Sequence, residues 1–599
     1  MKVSDYISKF LEDRGISHVF GFIGGAITHL VDSIYASNKV QFIQVYHEQT
    51  AAIAAEGYSR ISDSPKKIGV AMATSGPGAT NLITGIADAF FDSIPAVYIT
   101  GQVNTYEYKY KKPIRQQGFQ ETNIVDIVKP ITKLAALVDD ASKIKYFLEK
   151  AFHIASSGRP GPVLLDIPMD IQSADINPDE LESYRPDDNN IDVSEEDLSK
   201  AKELIKSSKR PLMLVGGGVI NAKAEKALFD FCTSNNIPVV NSLMGKGAFP
   251  EDNDLHIGMI GSYGNRCANI VTANADLLIA LGTRLDTRQT GTALDSFLRK
   301  GKLLHIDIDR NELQHHRLKG RIEIHADAGR FLRKINSKTK KESNDEWLDY
   351  VRKIKSKYSQ SWDIERHVKN KMPYEILNAL NKIYGKDQIF CVDIGQNQMF
   401  SAQMLKIRKG QKFFTSGGLA PMGYAVPAAI GASVCTDKRR EVIAVTGDGG
   451  FHISTQSLML ISQYDLPIKV VVLNNESLGM ITQFQDLYFG ERKLATTKKS
   501  GYLVPSIKDI AKAYGLKYYL IDEKSIKDIE NVRKALTSDR NAIIEVLTQE
   551  DTKIVPKLEV EHPIEDISPR LSEEELKESM LISPYKKEKR TQGASHCLK

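Results

Sequence analysis

The fold is decided by the stretch TGDGGFHISTQSLMLISQYDLPIKVVVLNNESLGM, residues 446–480. Asp448 lies in a glycine turn that follows the apolar run VIAV, and Asn474 and Asn475 end the β-branched run KVVVL. Two apolar runs separated by a helical segment indicate parallel strands that are buried on both faces of a sheet. Ligands collect beyond the carboxyl ends of such strands, so we expect Asp448 and Asn475 to lie at one site.

The chemistry of these two side chains predicts the kind of site. A carboxylate, an amide oxygen and a nearby backbone carbonyl are hard oxygen ligands, which suit Mg²⁺ better than zinc. The glycines beside Asp448 allow a phosphate to approach the backbone. The alternative is a surface turn followed by an asparagine cap. Each motif alone favours that alternative, whereas the two motifs with 24 residues between GDG and NN favour a metal and phosphate site.

Apolar runs and helical patterns alternate along most of the 599 residues, which predicts an α/β protein with parallel sheets and more than one domain. A polar, acidic stretch near residues 184–197 and a lysine-rich stretch near residues 335–370 separate three blocks of similar size. The predicted domains are residues 1–182, 196–335 and 371–550, with a charged C-terminal tail at 551–599.

Composition excludes several classes of function. The formal charge of +5 is small for this length, and no basic patch is interleaved with aromatic residues, so we expect no nucleic acid partner. The five cysteines show no C-x-x-C spacing, which argues against a zinc site or a disulfide framework. No run of 18 apolar residues is present. We therefore predict a cytoplasmic protein without a membrane span.

The GDG and NN motifs resemble the metal and diphosphate motif of thiamine diphosphate (ThDP) enzymes. The similarity extends over nearly the whole chain to the acetolactate synthase large-subunit family. This resemblance implies a ThDP-binding fold for the first domain, which binds the pyrimidine, and for the third, which binds the diphosphate. It implies a Rossmann-like central domain. It also implies that Mg²⁺ is bound by Asp448, Asn475 and the backbone carbonyl of Ser477.

The first block carries YHEQTAAIAAEGYSR, residues 46–60, with Glu48 before an alanine-rich helix. A glutamate at this position is usually favoured by the helix dipole alone. The resemblance implies instead that Glu48 is a buried carboxyl against the aminopyrimidine ring of ThDP. There it promotes removal of the proton from thiazolium C2, which makes that carbon a nucleophile.

Other segments match the cofactor and substrate loops of the family: GFIGGAI, ATSGPGATN, GFQET, GQNQMFSAQ and TSGGLAPMGYAVPAAIGA. Met422 by itself suggests core filling, but within its motif it matches the residue that wedges thiamine into its bent shape. The predicted catalytic residues beside Glu48 are Gly25, Phe119, Gln120 and Met422. The predicted ThDP-binding residues are Pro77, Asn81, Gln396, Asn397, Ala420, Met422, Gly447, Gly449, Gly450 and Met480.

The central block contains a triple glycine after a predicted strand, VGGGVI, and the segment LGTRLDTRQTG. A triple glycine alone is a weak signal for a dinucleotide. Taken together, the segments resemble the FAD-contacting segments of acetolactate synthases, which implies a structural FAD because the net reaction is not a redox reaction. The implied FAD residues are Gly217, Gly218, Leu243, Met244, Arg284, Asp286, Arg288, Asp307, Ile308, Asp327 and Ala328.

Three departures from the family concern the second substrate. Two arginines that follow TGQV in the family are replaced by the longer loop NTYEYKYKKPIRQQ, residues 104–117. Phe484 stands where the family carries a tryptophan that shapes the acceptor pocket, and the C-terminal tail differs from the family's capping segment. A single altered contact of this kind shifts specificity by roughly 1–3 kcal/mol. The sequence therefore defines the step that uses the first substrate better than it defines the second substrate, which accepts the transferred unit.

The predicted reaction is decarboxylation of pyruvate and transfer of its hydroxyethyl unit to a 2-oxoacid, giving 2-acetolactate. Two alternatives remain open within this chemistry: a keto-sugar nucleotide as acceptor, and simple decarboxylation of a 2-oxoacid. A catalytically inactive scaffold is the non-enzymatic alternative, against which the retained Glu48, Asp448 and Asn475 argue. The resemblance also implies an active site shared between two subunits, and hence a homodimer or homotetramer.

Overall fold

The computed structural model describes residues 1–64, 67–186, 191–336, 344–385 and 387–585. These residues form three six-stranded sheets in which every strand pairs in parallel with its neighbours. The expectation of three α/β units with parallel sheets is confirmed. Among the described helices, none combines the length and the apolar composition that crossing a membrane requires.

The first sheet has the strand order β2-β1-β3-β4-β6-β5. Its strands are β1 (His18–Phe22), β2 (Gln41–Gln44), β3 (Gly69–Ala73), β4 (Ala96–Gln102), β5 (Leu134–Leu137) and β6 (Pro162–Pro168). Its helices are α1 (Val3–Asp13), α2 (Thr28–Ser37), α3 (Glu48–Ile61), α4 (Pro77–Asn81), α5 (Ile83–Phe91), α6 (Ile124–Val128), α7 (Ile144–Ser156) and α8 (Met169–Ser173). Because β3 and β4 are fully buried and rich in Val, Ile and Ala, helices can cover both faces of this sheet.

The central sheet has the order β12-β11-β10-β7-β8-β9. Its strands are β7 (Pro211–Val215), β8 (Val239–Asn241), β9 (His256–Met259), β10 (Leu277–Leu281), β11 (Lys302–Asp307) and β12 (Ile322–His325). The helices of this region are α9 (Glu195–Ser207), α10 (Gly217–Asn221), α11 (Glu225–Ser234), α12 (Arg266–Asn274), α13 (Thr287–Thr290), α14 (Arg310–Gln314), α15 (Ala328–Asn336), α16 (Asp345–Lys357) and α17 (Gln360–His367). The strand order reverses beside β7, and such switch points in parallel sheets open a crevice.

The third sheet has the order β14-β13-β15-β16-β18-β17. Its strands are β13 (Ile389–Val392), β14 (Lys412–Thr415), β15 (Val442–Gly447), β16 (Ile468–Asn474), β17 (Lys517–Ile521) and β18 (Ala542–Leu547). The helices of this region are α18 (Met372–Ile383), α19 (Gln396–Met404), α20 (Ala425–Cys435), α21 (Asp448–Ile453), α22 (Leu458–Gln463), α23 (Gly479–Tyr488), α24 (Ile507–Ala513), α25 (Ile529–Thr537) and α26 (Glu573–Glu578). The adjacent strands β15 and β16 carry the two motifs of residues 446–480 at the same edge.

The C-terminal segment differs from the expected charged tail in its described part, residues 551–585. The guanidinium of Arg266 is fully buried, pairs with Asp363 at 2.6 Å and donates to the carbonyls of Ile567 and Pro569. Leu558, Ile564, Ile567 and Met580 join the hydrophobic core on one face of the central sheet. Charged residues between these apolar positions hid their pattern in the sequence. Residues 586–599 of the predicted tail lie outside the described residues.

Helix α3 of the first domain packs directly on helix α20 of the third. A Cβ atom on Gly431 would lie 1.8 Å from the carbonyl oxygen of Ala54, and a Cβ on Gly57 would lie 2.2 Å from that of Ala428. Neither contact is possible for a side chain, so glycine at both positions allows the two backbones to touch. The alanines of α3 and α20 complete this close interface.

A buried cluster of carboxyl groups adjoins this interface. Arg60 pairs with Glu56 and with Asp92, each at 2.7 Å, while the hydroxyl of Ser416 donates to Asp88. Glu56 Oε2 and Asp88 Oδ2 are buried and have no hydrogen-bond partner among the described residues. Burial, followed by the charges of Glu56 and Asp92, raises the pKa of Asp88 well above its ordinary value. We therefore expect Asp88 and Glu56 to share one proton, which would satisfy both oxygens.

Replacing Asp88 with asparagine tests this shared proton. The pKa of Asp88 is raised on folding, so the folded protein binds this proton more tightly than the unfolded chain does. The free energy of unfolding of the wild type therefore falls as pH rises from the ordinary aspartate pKa of about 4 towards the raised pKa of Asp88. The slope is at most about 1.4 kcal/mol per pH unit. The amide of the Asp88→Asn variant stays neutral and donates where the protonated acid would. We expect the melting temperature of Asp88→Asn, relative to wild type, to increase between pH 6 and pH 9.

The matched control for this measurement is Asp32→Asn, because Asp32 is exposed on α2. Thermal unfolding of the three proteins across the pH series gives the comparison. A stability difference between Asp88→Asn and wild type that does not change with pH would contradict the shared proton.

Candidate active site

The glycine turn and the double asparagine come together at the carboxyl edge of the third sheet. Asp448 begins α21 directly after β15, and Asn475 and Ser477 follow β16. The Oδ1 atom of Asp448 accepts from the amide of Gly449 at 2.7 Å, and Asn475 Oδ1 accepts from the amide of Ser477 at 3.2 Å. Glu476 between them has a φ of +50°, a left-handed conformation that stores strain at this turn.

The electrostatics of Asp448 suit a cation. Its side chain is buried, and Oδ2 has no hydrogen-bond partner among the described residues. Burial raises the pKa of Asp448 to about 6, because a carboxylate with little water around it is costly without a neighbouring positive charge. With the oxygens of Asn475 and Ser477 beside it, this orphaned oxygen fits the hard ligand set that Mg²⁺ requires.

A cleft surrounds the three candidate metal ligands. Gly449 leaves room in its wall for Met422, because a Cβ there would lie 2.9 Å from Cε of that side chain. Helix α19 begins at this cleft and presents its positive end to it, which suits a phosphate group. The cleft is lined by Gln396, Asn397, Met422, Gly447, Asp448, Gly449, Gly450, Asn475, Ser477 and Met480, among others. The predicted diphosphate-binding residues therefore share one cavity, whereas Ala420 is outside this lining.

The side chains of Gln396 and Asn397 were predicted to donate to the diphosphate. The amide group of Gln396 donates to the carbonyl of Thr552 at 2.8 Å, and that of Asn397 donates to the carbonyl of Asp393 at 2.7 Å. Both side chains thus fix the start of α19 in this structure, so the backbone N–H groups of its first turn are the donors that remain for a phosphate.

Asp393, which the sequence analysis did not single out, holds the turn that carries Met422. Its buried carboxylate accepts from the amides of Gly423 and Ala425, each at 2.9 Å. Ala420, on the same turn, has a φ of +61°. The only sequence signal for Asp393 was its position directly after an apolar strand, which is common to many aspartates.

Glu48 lies in the first domain with its predicted neighbours. It begins α3 and is 6% exposed, and Nδ2 of Asn81 donates to its Oε2 at 2.8 Å. Gln120 lies against the glycine turn that precedes Pro77, because a Cβ on Gly76 would be 3.1 Å from Cβ of Gln120. Gly25 is exposed beside this group, and the ring of Phe119 is 87% exposed.

Within one chain, the first-domain group and the metal cleft do not meet. Among the described residues, none of the first domain lines the metal cleft. The start of α3 instead contacts the region of α22, where the hydroxyls of Thr50 and Ser457 are 2.9 Å apart and Tyr46 donates to Gln463 at 2.8 Å. Glu48 is therefore not part of the described lining of the Asp448 cleft of its own chain.

The central sheet carries a second cleft at its carboxyl edge. All eleven residues predicted to contact FAD line it, and they follow β7, β8, β10, β11 and β12. The turns after β7 and β10 touch there, because a Cβ on Gly216 would lie 2.1 Å from the carbonyl oxygen of Gly282. This crevice at the switch point of a parallel sheet has the form of a nucleotide-binding site.

Three arginines line this central cleft together with four aspartates. Arg284 lies 3.7 Å from Asp286, whose carboxylate caps α13, and Arg288 lines both this cleft and the metal cleft. Arg159 of the first domain also lines it and pairs with Asp309 at 2.9 Å. Arg159 could not be predicted from the sequence, because an arginine in a turn before a strand carries no specific signal.

Phe484 and the loop of residues 104–117 are the two segments that depart from the family near the expected site of the acceptor substrate. Phe484 on α23 is 48% exposed, with its ring 4.7 Å from that of Tyr488. In the loop of residues 104–117, Nζ of Lys109 donates to the carbonyl of Ile114 at 3.0 Å, and Nζ of Lys112 donates to Gln117 at 2.5 Å. These two ammonium groups each have a hydrogen-bond partner within the loop.

Comparison with known proteins agrees with this geometry. Three family models match in order: the N-terminal TPP binding domain of thiamine pyrophosphate enzymes at residues 1–127, their central domain at 198–335, and their C-terminal TPP binding domain at 393–546. Thiamine pyrophosphate is another name for ThDP.

Curated relatives cover most of the chain. The acetolactate synthase large subunit of Corynebacterium glutamicum is 37% identical over 572 residues, which are 92% of this chain and 87% of the relative. A probable acetolactate synthase large subunit of Methanocaldococcus jannaschii is 36% identical over 91% of this chain and 92% of its own length. The acetolactate synthase large subunit of Cyanidium caldarium is 37% identical over 84% of this chain and 86% of its own length. The chain therefore belongs to the family of ThDP-dependent enzymes that contains the acetolactate synthase large subunits.

Proposed function

We propose that this protein decarboxylates pyruvate and transfers the hydroxyethyl unit to a second 2-oxoacid, giving 2-acetolactate when the acceptor is also pyruvate. In that case two pyruvates and one proton give one 2-acetolactate and one CO₂. The observation that carries the proposal is the buried, unpartnered oxygen of Asp448, which shares a cleft with Asn475, Ser477 and the start of α19. The names of the relatives support the choice of reaction.

The residues of the chain have distinct roles in this proposal. Asp448, Asn475 and the carbonyl of Ser477 would hold Mg²⁺, and Met422 would contact the thiamine. ThDP, when bound, supplies the nucleophilic carbon that attacks the carbonyl of a 2-oxoacid. Glu48 would hold the proton at N1′ of the pyrimidine, with Asn81 fixing one oxygen of its carboxyl group. Gln120 would offer its amide to the reacting oxygen.

A 2-oxoacid acceptor is favoured over a keto-sugar nucleotide by the names of the curated relatives. The basic side chains of the 104–117 loop that could meet a nucleotide diphosphate are Lys109, Lys111, Lys112 and Arg115, of which Lys109 and Lys112 also hydrogen-bond within the loop. The cytoplasmic location expected from the sequence stays a prediction.

Product analysis by mass spectrometry tests the reaction. With ThDP, Mg²⁺ and pyruvate alone we expect 2-acetolactate and CO₂ in equal amounts. Glu48→Gln should lower turnover by about 10²-fold or more, because general acid–base catalysis contributes that much. Glu365→Gln, on an exposed glutamate of α17, is the matched control.

Each other outcome of that experiment selects one alternative. Acetaldehyde as the sole product would indicate a simple decarboxylase. Product formed only when a keto-sugar nucleotide is added would indicate the branched-sugar reaction. Protein that binds ThDP and Mg²⁺ but releases no CO₂ from any 2-oxoacid would indicate a catalytically inactive scaffold.

We further propose that each active site combines two chains in a homodimer, or in a homotetramer built from such dimers. This proposal is supported by the separation of Glu48 from the Asp448 cleft within one chain, and by the packing of α3 on α20, which fixes that separation. In a twofold dimer, Glu48 of one subunit would face the metal cleft of the other.

Subunit complementation tests the shared site. Glu48→Gln and Asp448→Asn should each be inactive alone. A mixed dimer keeps one intact site, formed by Glu48 of one chain and Asp448 of the other. Unfolding and refolding an equal mixture should therefore recover roughly a quarter of wild-type activity, since half of the dimers are mixed and each has one of two sites. Refolding each variant separately is the control, and no recovery in the mixture would contradict a shared site.

We also propose that the central cleft binds FAD in a structural role. Support comes from the eleven predicted residues that share this cleft and from the arginines around it, which can pair with phosphates. Because the proposed reaction transfers no net electrons, the flavin would stabilise the contact between the central domain and its neighbours, which contribute Asp92, Arg159 and Gly417 to the lining.

The absorbance of the purified protein tests FAD binding. We expect a flavin band near about 450 nm with close to one flavin per subunit. Arg288→Glu should lose this band after gel filtration, because it replaces a phosphate partner with a like charge. Arg352→Glu, on an exposed arginine of α16, should retain it. A colourless wild-type protein that takes up no added FAD would contradict the proposal.

A further inference from the structure

We infer that Tyr502 is a positioning residue of the cation site, where its hydroxyl orients the Asp448 carboxylate so that Oδ2 faces the metal. The Tyr502 hydroxyl donates to Asp448 Oδ1 at 3.2 Å. The same Oδ1 accepts the amide of Gly449 at 2.7 Å, which leaves Oδ2 as the oxygen without a partner among the described residues. Two donors on one oxygen fix the rotamer of the carboxylate and so the direction of the other oxygen.

Local structure allows this approach. Gly449 has no side chain, and a Cβ there would lie 3.1 Å from the Tyr502 hydroxyl. A tyrosine phenol keeps its proton at neutral pH, so Tyr502 can donate to Asp448 there. Any larger residue at 449 would therefore displace either Tyr502 or Met422.

Tyr502 is itself tied to the second ligand-bearing loop. Its amide donates to the carbonyl of Thr497 at 3.0 Å, and Thr497 forms an isolated β-bridge with Ser477. The hydroxyl of Ser477 donates to the carbonyl of Thr496 at 3.0 Å, and the amide of Leu478 donates to the same carbonyl at 2.9 Å. The turn of residues 496–502 thus links the loop after β16 to Asp448 after β15.

This linkage predicts a specific effect on metal binding. If Tyr502 sets the orientation of Asp448, loss of its hydroxyl should weaken Mg²⁺ and leave the chemistry of the loaded site unchanged. Outer partners of metal ligands typically contribute 10–100-fold to affinity. The inference rests on the proposed Mg²⁺ site and is independent of the identity of the acceptor substrate.

The experiment is a calorimetric titration of full-length protein with Mg²⁺ at saturating ThDP, without substrate. We expect Tyr502→Phe to raise the apparent Kd for Mg²⁺ by about 10-fold or more. At saturating Mg²⁺, its kcat should return to near the wild-type value. Tyr502→His keeps a ring N–H donor, so its affinity for Mg²⁺ should lie between those of the wild type and Tyr502→Phe. Tyr519→Phe is the matched control, since Tyr519 donates to Asp539 in the same domain.

The outcomes separate the inference from the proposed site. Unchanged Mg²⁺ affinity in Tyr502→Phe, or equal affinities in the Phe and His variants, would overturn the role of Tyr502. Asp448→Asn is titrated in parallel: if it binds Mg²⁺ as wild type does, the proposed metal site itself fails. If Asp448→Asn loses Mg²⁺ while Tyr502→Phe does not, only the inference fails. A lower melting temperature without a change in Kd would assign Tyr502 a purely structural role.

Discussion

The close packing of α3 on α20 is the constraint on which the rest of the molecule depends. The glycines at 57 and 431 bring the two backbones into contact, and this contact joins the first and third domains. The same interface buries Glu56 and Asp88, where one shared proton would avoid two adjacent buried charges. Since the packing fixes where α3 begins, it also fixes the position of Glu48 relative to the third sheet.

The second constraint is the cost of a buried charge. Asp448 cannot be satisfied by the protein alone, because one of its oxygens lacks a partner among the described residues. By contrast, Asp393 after the adjacent strand accepts three backbone amides, and both of its oxygens have partners. The two aspartates follow neighbouring strands of one sheet and differ only in what surrounds them. One is structural, and the other fits a cation.

Much of the fold and of the site could be predicted from the sequence, because their signals are local. Runs such as KVVVLNN predict buried parallel strands, and all eleven residues implied for the central cleft line it. Tyr502, Arg159 and Asp393 escaped prediction, since each contacts its partner across a long separation in the chain. The C-terminal segment was missed for a similar reason: Arg266 binds carbonyls some 300 residues further along.

The sequence by itself determined the chemistry: hard oxygen ligands after two strands, a glutamate before an alanine-rich helix, and glycine turns at strand ends. These features need only neighbouring residues, so their meaning is fixed by the order of the chain. Which groups meet depends on the tertiary structure. It brings Asp448, Asn475 and Ser477 into one cleft, and Glu48 is not among the described residues that line it. The reason is physical: contacts between distant segments depend on how helices pack on sheets, which local sequence does not encode.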